Sequence, residues 1–232
     1  MGAMLQDSFI SGFAMIVGGN PELWTIVFLS LRCTGLACLC ASVIGIPLAF
    51  ALTNYTFTGK RCVILLLNTL QALPTTVVGL FLYVFISRRG IFGAYDLLYT
   101  PWAITIGQFI LILPLVTMFV LAALSRLDVR YRQTALTLGA SEWQAAFTVI
   151  REARFAIVAA LCAAFGRGIA EVGVSMMLGG NIKGFTRTMT TAMALEYDKG
   201  EFTLALALGV VLLSVSFALN GALAFFQGRM EN

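Results

Sequence analysis

Histidine is missing from all 232 residues, and only 11% of them are charged. The first absence excludes a Cys/His metal site and histidine acid–base chemistry. The second sets the chain apart from soluble domains, where roughly 25% of residues are charged. Cysteine is scarce and odd in number: Cys33, Cys38, Cys40, Cys62 and Cys162 all lie in or beside apolar runs. That pattern argues against a disulfide framework and for small apolar fillers. There is no G-x-x-x-x-G-K-[ST], because the only Gly-Lys pair, Gly59-Lys60, is followed by Arg61. The chain therefore cannot build a P-loop of its own. "GRGIAEVG" also fails as a dinucleotide fingerprint, since Glu171 stands in the third glycine's place and no strand precedes it. The first 31 residues hold no Lys or Arg, so the positive region of a cleavable signal is missing.

What fills the chain is apolar residue, in blocks. No Asp, Glu, Lys or Arg occurs between Cys33 and Gly59, Cys62 and Ser87, Leu97 and Ser125, or Phe202 and Gly228. Each block exceeds the ~20 residues a helix needs to cross a ~30 Å hydrocarbon layer. A fifth run, Phe155 to Gly180, is interrupted only by Arg167 and Glu171. The blocks do not alternate polar with apolar residues as barrel strands do, so the fold class is an all-α polytopic membrane protein. It should be one transmembrane domain over residues 1–232, with about five spans at 23–52, 61–87, 100–124, 154–180 and 202–228. Leu5, Phe9, Ile10, Phe13, Ile16 and Val17 recur at helical spacing, predicting a short interfacial helix over 1–20 that Gly18-Gly19-Asn20-Pro21 ends.

With an outer N-terminus, the inner loops and tail hold Lys60, Arg61, Arg126, Arg130, Arg132, Arg151, Arg154 and Arg229. The outer loops hold Arg88, Arg89, Lys183, Arg187 and Lys199. Eight against five favours N-out/C-in. Pro47, Pro74 and Pro114 fall inside spans and should kink them.

The segment 128–150 is the long cytoplasmic loop. Gly139 follows the helix-forming "QTALTL" and suits a left-handed position after a helix. Ser141, with Gln144 three residues on, makes a capping box for a second helix. On that helix Trp143, Ala146, Phe147 and Ile150 share one face. Leu136, Leu138 and Trp143 near the bend must be buried in something, either their own bundle or a partner's groove.

Arg167 falls about thirteen residues into the fourth span, roughly 20 Å at ~1.5 Å per residue. A charge at mid-bilayer costs about 2.5–3.5 kcal/mol on insertion scales, so Arg167 and Glu171 should face protein or water. Their i, i+4 spacing lets them pair. Two readings stand: a pair that fixes helix geometry, or an arginine lining a path whose grip on an anion the glutamate limits. Thr75 and Thr76 after Pro74, and Ser175, Gly180 and Asn181 at the end of the fourth span, are further candidates for lining. Hydroxyl and backbone N–H groups donate to an oxyanion without a full charge. After Arg187, Met189, Ala192, Met193 and Glu196 lie at helical spacing with Gly200 as a cap, predicting an outer helix that packs on the bundle or meets a partner.

The stretch "QTALTLGASEWQAAFTVI" resembles the cytoplasmic coupling loop of ABC-importer permeases, whose pattern runs E-A-A-x-x-x-G-A before a hydrophobic helix. Gln133, Thr134 and Ala135 stand in the E-A-A place, followed by Leu136, Thr137, Gly139, Ala140 and Ser141. "LPTTVVGLFLYVFISRRGIFG", "GQFILILPL" and "GRGIAEVGVSMMLGGNIKGFTRTMTTAMALEYDKG" are similar to the permease subunits of tungstate-type oxyanion importers, and less closely to those for sulfate and molybdate. The resemblance implies a type I ABC-importer permease in a prokaryotic cell membrane, paired with a second copy of itself. It also implies a cytoplasmic ATPase dimer that binds ATP and Mg, an extracytoplasmic oxyanion-binding protein, no cofactor in this chain and no nucleic acid. The rivals are an ion-coupled secondary transporter using Arg167 and Glu171 as a relay, and a membrane anchor without transport. An enzyme is the weakest, because no nucleophile–base set is present.

Overall fold

The structure is a computed structural model describing residues 2–128 and 130–228. Arg229, counted in the charge bias, lies outside them, as does the side chain of Leu5. Helix α1 (Gly2–Val17) leads to α2 (Pro21–Asn54), α3 (Lys60–Ala72), α4 (Thr75–Ile86) and α5 (Pro101–Leu124). Then come α6 (Arg130–Thr137), α7 (Glu142–Glu152), α8 (Arg154–Ile169), α9 (Gly173–Gly179), α10 (Met189–Lys199) and α11 (Phe202–Gly228). Among the described residues there is no strand.

The helix starts follow local chemistry. The Asn20 side chain accepts from the N–H groups of Glu22 and Leu23 at 3.0 and 3.2 Å, with Pro21 at the first helical position. Thr100 and Pro101 repeat the device for α5. Proline there gives up an N–H that had no helical partner anyway. Helices α2 and α5 run on through Pro47 and Pro114 as single elements.

Among the described residues three helices, α2, α5 and α11, are long and apolar enough to cross a membrane unaided. The expected spans 61–87 and 154–180 are each made of two helices. Helices α3 and α4 meet at 100° across Leu73-Pro74, and α8 and α9 at 58° across Ala170–Val172. Counting each bent pair as one span gives up to five. Pro74 accounts for the first break, because it bars a helical conformation in Leu73, whose ψ is 136°.

The main core joins Ala37, Ala41 and Phe50 of α2 to Ile112, Val116 and Val120 of α5, and to Val149, Ala160 and Ala164 of α7 and α8. Alanines let the helix axes approach closely where lipid offers no hydrophobic drive between helices. A second cluster gathers Leu23, Ile26 and Val27 with Ile169, Met189, Ala192 and Leu208. Helix α1 lies against α11, where a Cβ on Gly12 would come within 3.0 Å of the Thr203 carbonyl oxygen. Phe9, Ile10, Phe13 and Val17 stay exposed on its other side. The five cysteines are free thiols; Cys33 and Cys38 are buried and Cys40 and Cys62 exposed.

The two ends of α2 mark opposite ends of the bundle. Glu22, in its first turn, pairs with Lys183 at 2.9 Å and Arg187 at 3.7 Å. Tyr55, its C-cap, lies under Arg132 of α6.

Candidate functional site

The two helix breaks touch. A Cβ on Gly173, the first residue of α9, would fall 2.8 Å from Thr75 Oγ1 and 3.1 Å from Thr76 Cγ2. Only glycine lets the start of α9 seat against the start of α4 at this distance. Beside the junction opens a small pocket of about 50 Å³. Its polar lining is Gln71 from the end of α3, Thr75, Gln108 from α5, Arg167 and Glu171; leucines and Ile112 complete it.

Arg167 and Glu171 pair as their spacing predicts, Nη1 to Oε2 at 3.4 Å. They are unequally placed: the arginine side chain is 56% exposed and the glutamate 5%. The carboxylate's other oxygen accepts the Val174 N–H at 3.3 Å, and the Glu171 carbonyl accepts from the Thr190 hydroxyl at 2.7 Å. Glu171 thus lies behind the arginine, tied to the break it helps hold, while the guanidinium faces the opening. A buried carboxylate without such partners would carry a large desolvation penalty.

Ser175 is fully buried and reaches the pocket through an intermediary. The Thr34 hydroxyl donates to Gln108 Oε1 at 3.0 Å, and Gln108 Nε2 donates to Ser175 Oγ at 3.4 Å. This chain stitches α2, α5 and α9 together beside the pocket. The sequence reading missed Gln108 and Thr34; the one available signal was a lone amide in the apolar "GQFILILPL". Gly180 and Asn181 are placed elsewhere, past the far end of α9. Gly180 sits against the Tyr99 ring at φ +67°, and Asn181 donates to the Thr191 carbonyl at 3.1 Å. Thr76 is exposed next to Thr75.

The second candidate region is the elbow between α6 and α7. Gly139 has φ +87°, and both bonds of the capping box form: Ser141 N–H to Gln144 Oε1 at 2.8 Å, and Gln144 N–H to Ser141 Oγ at 3.3 Å. The face that the spacing picks out is divided, with Ala146 buried and Ile150 half-buried against the core. Helix α7 buries Ala145, Ala146 and Val149, while Trp143 and Phe147 stay in solvent. At the tip Leu138 is 83% exposed and Trp143 85%. Gln133, Thr137 and Ser141 are exposed as well, and Ala135, Leu136 and Ala140 half-buried. The bundle therefore leaves the apolar tip uncovered.

At the opposite end, α10 buries Met189, Ala192 and Glu196 and ends at Gly200, as its spacing predicts. Glu196 pairs with Lys199 at 3.0 Å and with Arg187 at 3.9 Å, which joins it to Glu22. Met193 is the half-buried member of that face.

The chain matches, over residues 41–232, the family described as binding-protein-dependent transport system inner membrane component. It is 34% identical to the tungstate uptake system permease protein TupB of Peptoclostridium acidaminophilum over 96% of this chain and 98% of that one. With the TupB permease of Campylobacter jejuni it shares 42% identity over 72% of this chain and 70% of that one. In fold it is similar to a chain of the MetNI methionine ABC transporter in an inward-facing conformation, with TM-score 0.70 at 17% identity, covering 90% of this chain and 98% of that one.

Proposed function

This chain belongs to the family of binding-protein-dependent transport system inner membrane components, and we propose that within it the chain is the permease subunit for an oxyanion, tungstate first among the candidates. It is a multi-pass protein of the inner membrane, and its TupB relatives are named as tungstate uptake permeases. The observation that carries the coupling part of the reading is the elbow. A bend fixed by Gly139 and a complete capping box, presenting bare Leu138 and Trp143, is built to fit a groove on another protein. In this reading that protein is the cytoplasmic ATPase, which binds ATP and Mg²⁺. The elbow end then faces the cytoplasm, and the N-terminus and α10 face outward, toward an anion-delivering binding protein.

A single copy leaves the faces of α4 and α11 open, with Leu80, Phe81, Val84, Leu213 and Phe217 exposed. We read the transporter as two copies enclosing one pathway. At the junction of the broken helices Arg167 shows its positive end to that pathway, while Glu171 cancels most of the charge from behind. A tetrahedral dianion is attracted by the guanidinium and by the amide and hydroxyl groups of Gln71, Gln108 and Thr75. The carboxylate keeps it from being trapped, as passage requires. Gly180 and Asn181 then serve the outer loop and not the pocket.

Uptake into proteoliposomes holding this chain, its ATPase and its binding protein tests the reading, with tungstate, molybdate and sulfate in competition. Tungstate uptake that needs ATP hydrolysis is expected. Preference for molybdate or sulfate would reassign the substrate within the same class. Uptake that persists with an ATPase unable to bind nucleotide would replace the reading with ion-coupled secondary transport.

A further inference from the structure

We propose that Arg132 is a positioning residue that transmits the movement of the elbow to α2 through the ring of Tyr55. The inference rests on the reading that a partner ATPase grips the elbow.

Helix α6 buries none of its residues, so the protein interior does not hold it. Besides the local Arg130–Asp128 pair at 3.9 Å, its side-chain ties to other helices among the described residues run through Arg132. The Arg132 Nη2 group meets Glu142 Oε2, in the first turn of α7, at 2.6 Å, which braces the two arms of the elbow against each other. The same guanidinium lies 5.9 Å from the centroid of the Tyr55 ring. Its Nε is buried and has no hydrogen-bond partner among the described residues. Tyr55 is held in turn: its N–H donates to the Ala51 carbonyl at 3.0 Å, its own carbonyl accepts from Lys60 Nζ at 3.2 Å, and its ring meets Phe50 edge-on at 6.5 Å. Phe50 belongs to the core that also takes Ala146 and Val149 of α7.

Beyond the chain itself, two side-chain attachments among the described residues hold the elbow to the bundle. One is the apolar face of α7, which reaches α5 and α8 through the core. The other is Arg132 on Tyr55, which reaches the end of α2 directly. Helix α2 carries Thr34, whose hydroxyl holds Gln108 at the pocket. A push on the elbow that passes through Tyr55 arrives at the pocket along one continuous helix. Arginine suits this place because a planar guanidinium can stack on a ring and pair with a carboxylate at once; a lysine ammonium keeps the charge but loses the plane.

The test uses the full transporter in proteoliposomes and measures anions imported per ATP hydrolysed. Arg132→Lys and Tyr55→Leu should each lower this ratio about two- to fivefold, the range a partly exposed cation–π contact supports. The double variant should be no worse than the poorer single, since both break one contact. Tyr55→Phe, which keeps the ring, should hold the wild-type ratio. An unchanged ratio in both single variants, losses that multiply in the double variant, or failure of Tyr55→Phe would overturn the proposal. Loss of ATPase binding in either single variant would overturn it too, because the contact would then serve docking. Wild-type transporter without ATP-driven uptake would instead strike the reading beneath it, and needs no variant to see.

Discussion

Glu22 and Tyr55 bound the same helix, yet their surroundings are opposites. Around Glu22 the chain supplies most of its own partners: Lys183, Arg187, Glu196 and Lys199 form a joined set of ion pairs, with Arg187 and Glu196 buried, although Arg187 Nε and Asn181 Oδ1 have no hydrogen-bond partner among the described residues. Thr188, Thr190 and Thr191 are buried beside it and hydrogen-bonded to one another, and the Ser30 hydroxyl accepts the Met189 N–H at 2.8 Å. Around Tyr55 the chain leaves itself unfinished, with α6 unburied and the tip of the elbow in solvent. In the proposed reading the contrast marks where the ATPase docks: one end is held mainly by ion pairs within the chain, and the other leaves apolar side chains for a partner to cover.

The comparison can be broken most directly at the tip. Trp143→Ala should cost about 2–4 kcal/mol of ATPase binding, as truncating a central interface tryptophan does, and leave the melting temperature of the isolated chain in place. Co-purification and thermal unfolding check both halves; a large fall in melting temperature would mean that Trp143 serves the fold. The converse change belongs at the other end. Glu196→Ala leaves the buried Arg187 with only Glu22 near it, so about 2–4 kcal/mol of stability should be lost. Thermal unfolding reads this, and retained ATPase binding by the variant would confirm that the two ends act separately.

Between the ends, Glu171→Gln sharpens the reading of the pocket. Exchanging the charges of Arg167 and Glu171 is a poor test, because an arginine at 171 cannot accept the Val174 N–H. Glutamine keeps an acceptor for that N–H and removes the countercharge. If the pair only holds geometry, breaking it should lower the melting temperature and leave apparent KM unchanged. If Arg167 faces the anion, apparent KM should fall and maximal uptake should fall with it, by about tenfold for each ~1.4 kcal/mol of tighter holding. The smallest effect is expected from Ser141→Ala, which removes one cap bond and should cost about 1 kcal/mol of elbow stability. A shift in helical content and a modest loss of ATPase affinity would register it.

What the sequence disclosed depended on range. Gly139, the Ser141–Gln144 box, the Asn20-Pro21 start and the Gly200 stop are set by neighbours within four residues, and each was legible. The face of α7 was not. A surface built to meet a partner carries the same apolar residues at the same spacing as one built to meet the core. Periodicity picked out Trp143, Ala146, Phe147 and Ile150; packing buries Ala146 along with Ala145 and Val149, and leaves Trp143 and Phe147 exposed. Pro74 announced an interruption but not a 100° turn. The break at Ala170–Val172 has no proline to announce it; it depends on the Thr190 hydroxyl and on Gly173 fitting against Thr75, contacts between residues distant in the chain. Gln108 went unnoticed for the same reason, since its partners Thr34 and Ser175 lie on other helices.

Helix α2 has 34 residues, about 51 Å at ~1.5 Å per residue, well beyond a ~30 Å hydrocarbon layer. It packs on α5 along much of its length, from Cys33 at Pro101 through Thr34 at Gln108 to Gly45 at Thr117, and in the proposed reading it moves as one rod. A tilt of about 5° would carry one tip through about 4 Å relative to the other over that length. In the proposed reading a small stroke on the elbow side, passed through the Arg132–Tyr55 contact, would become an ångström-scale displacement beneath the ion pairs at the far rim.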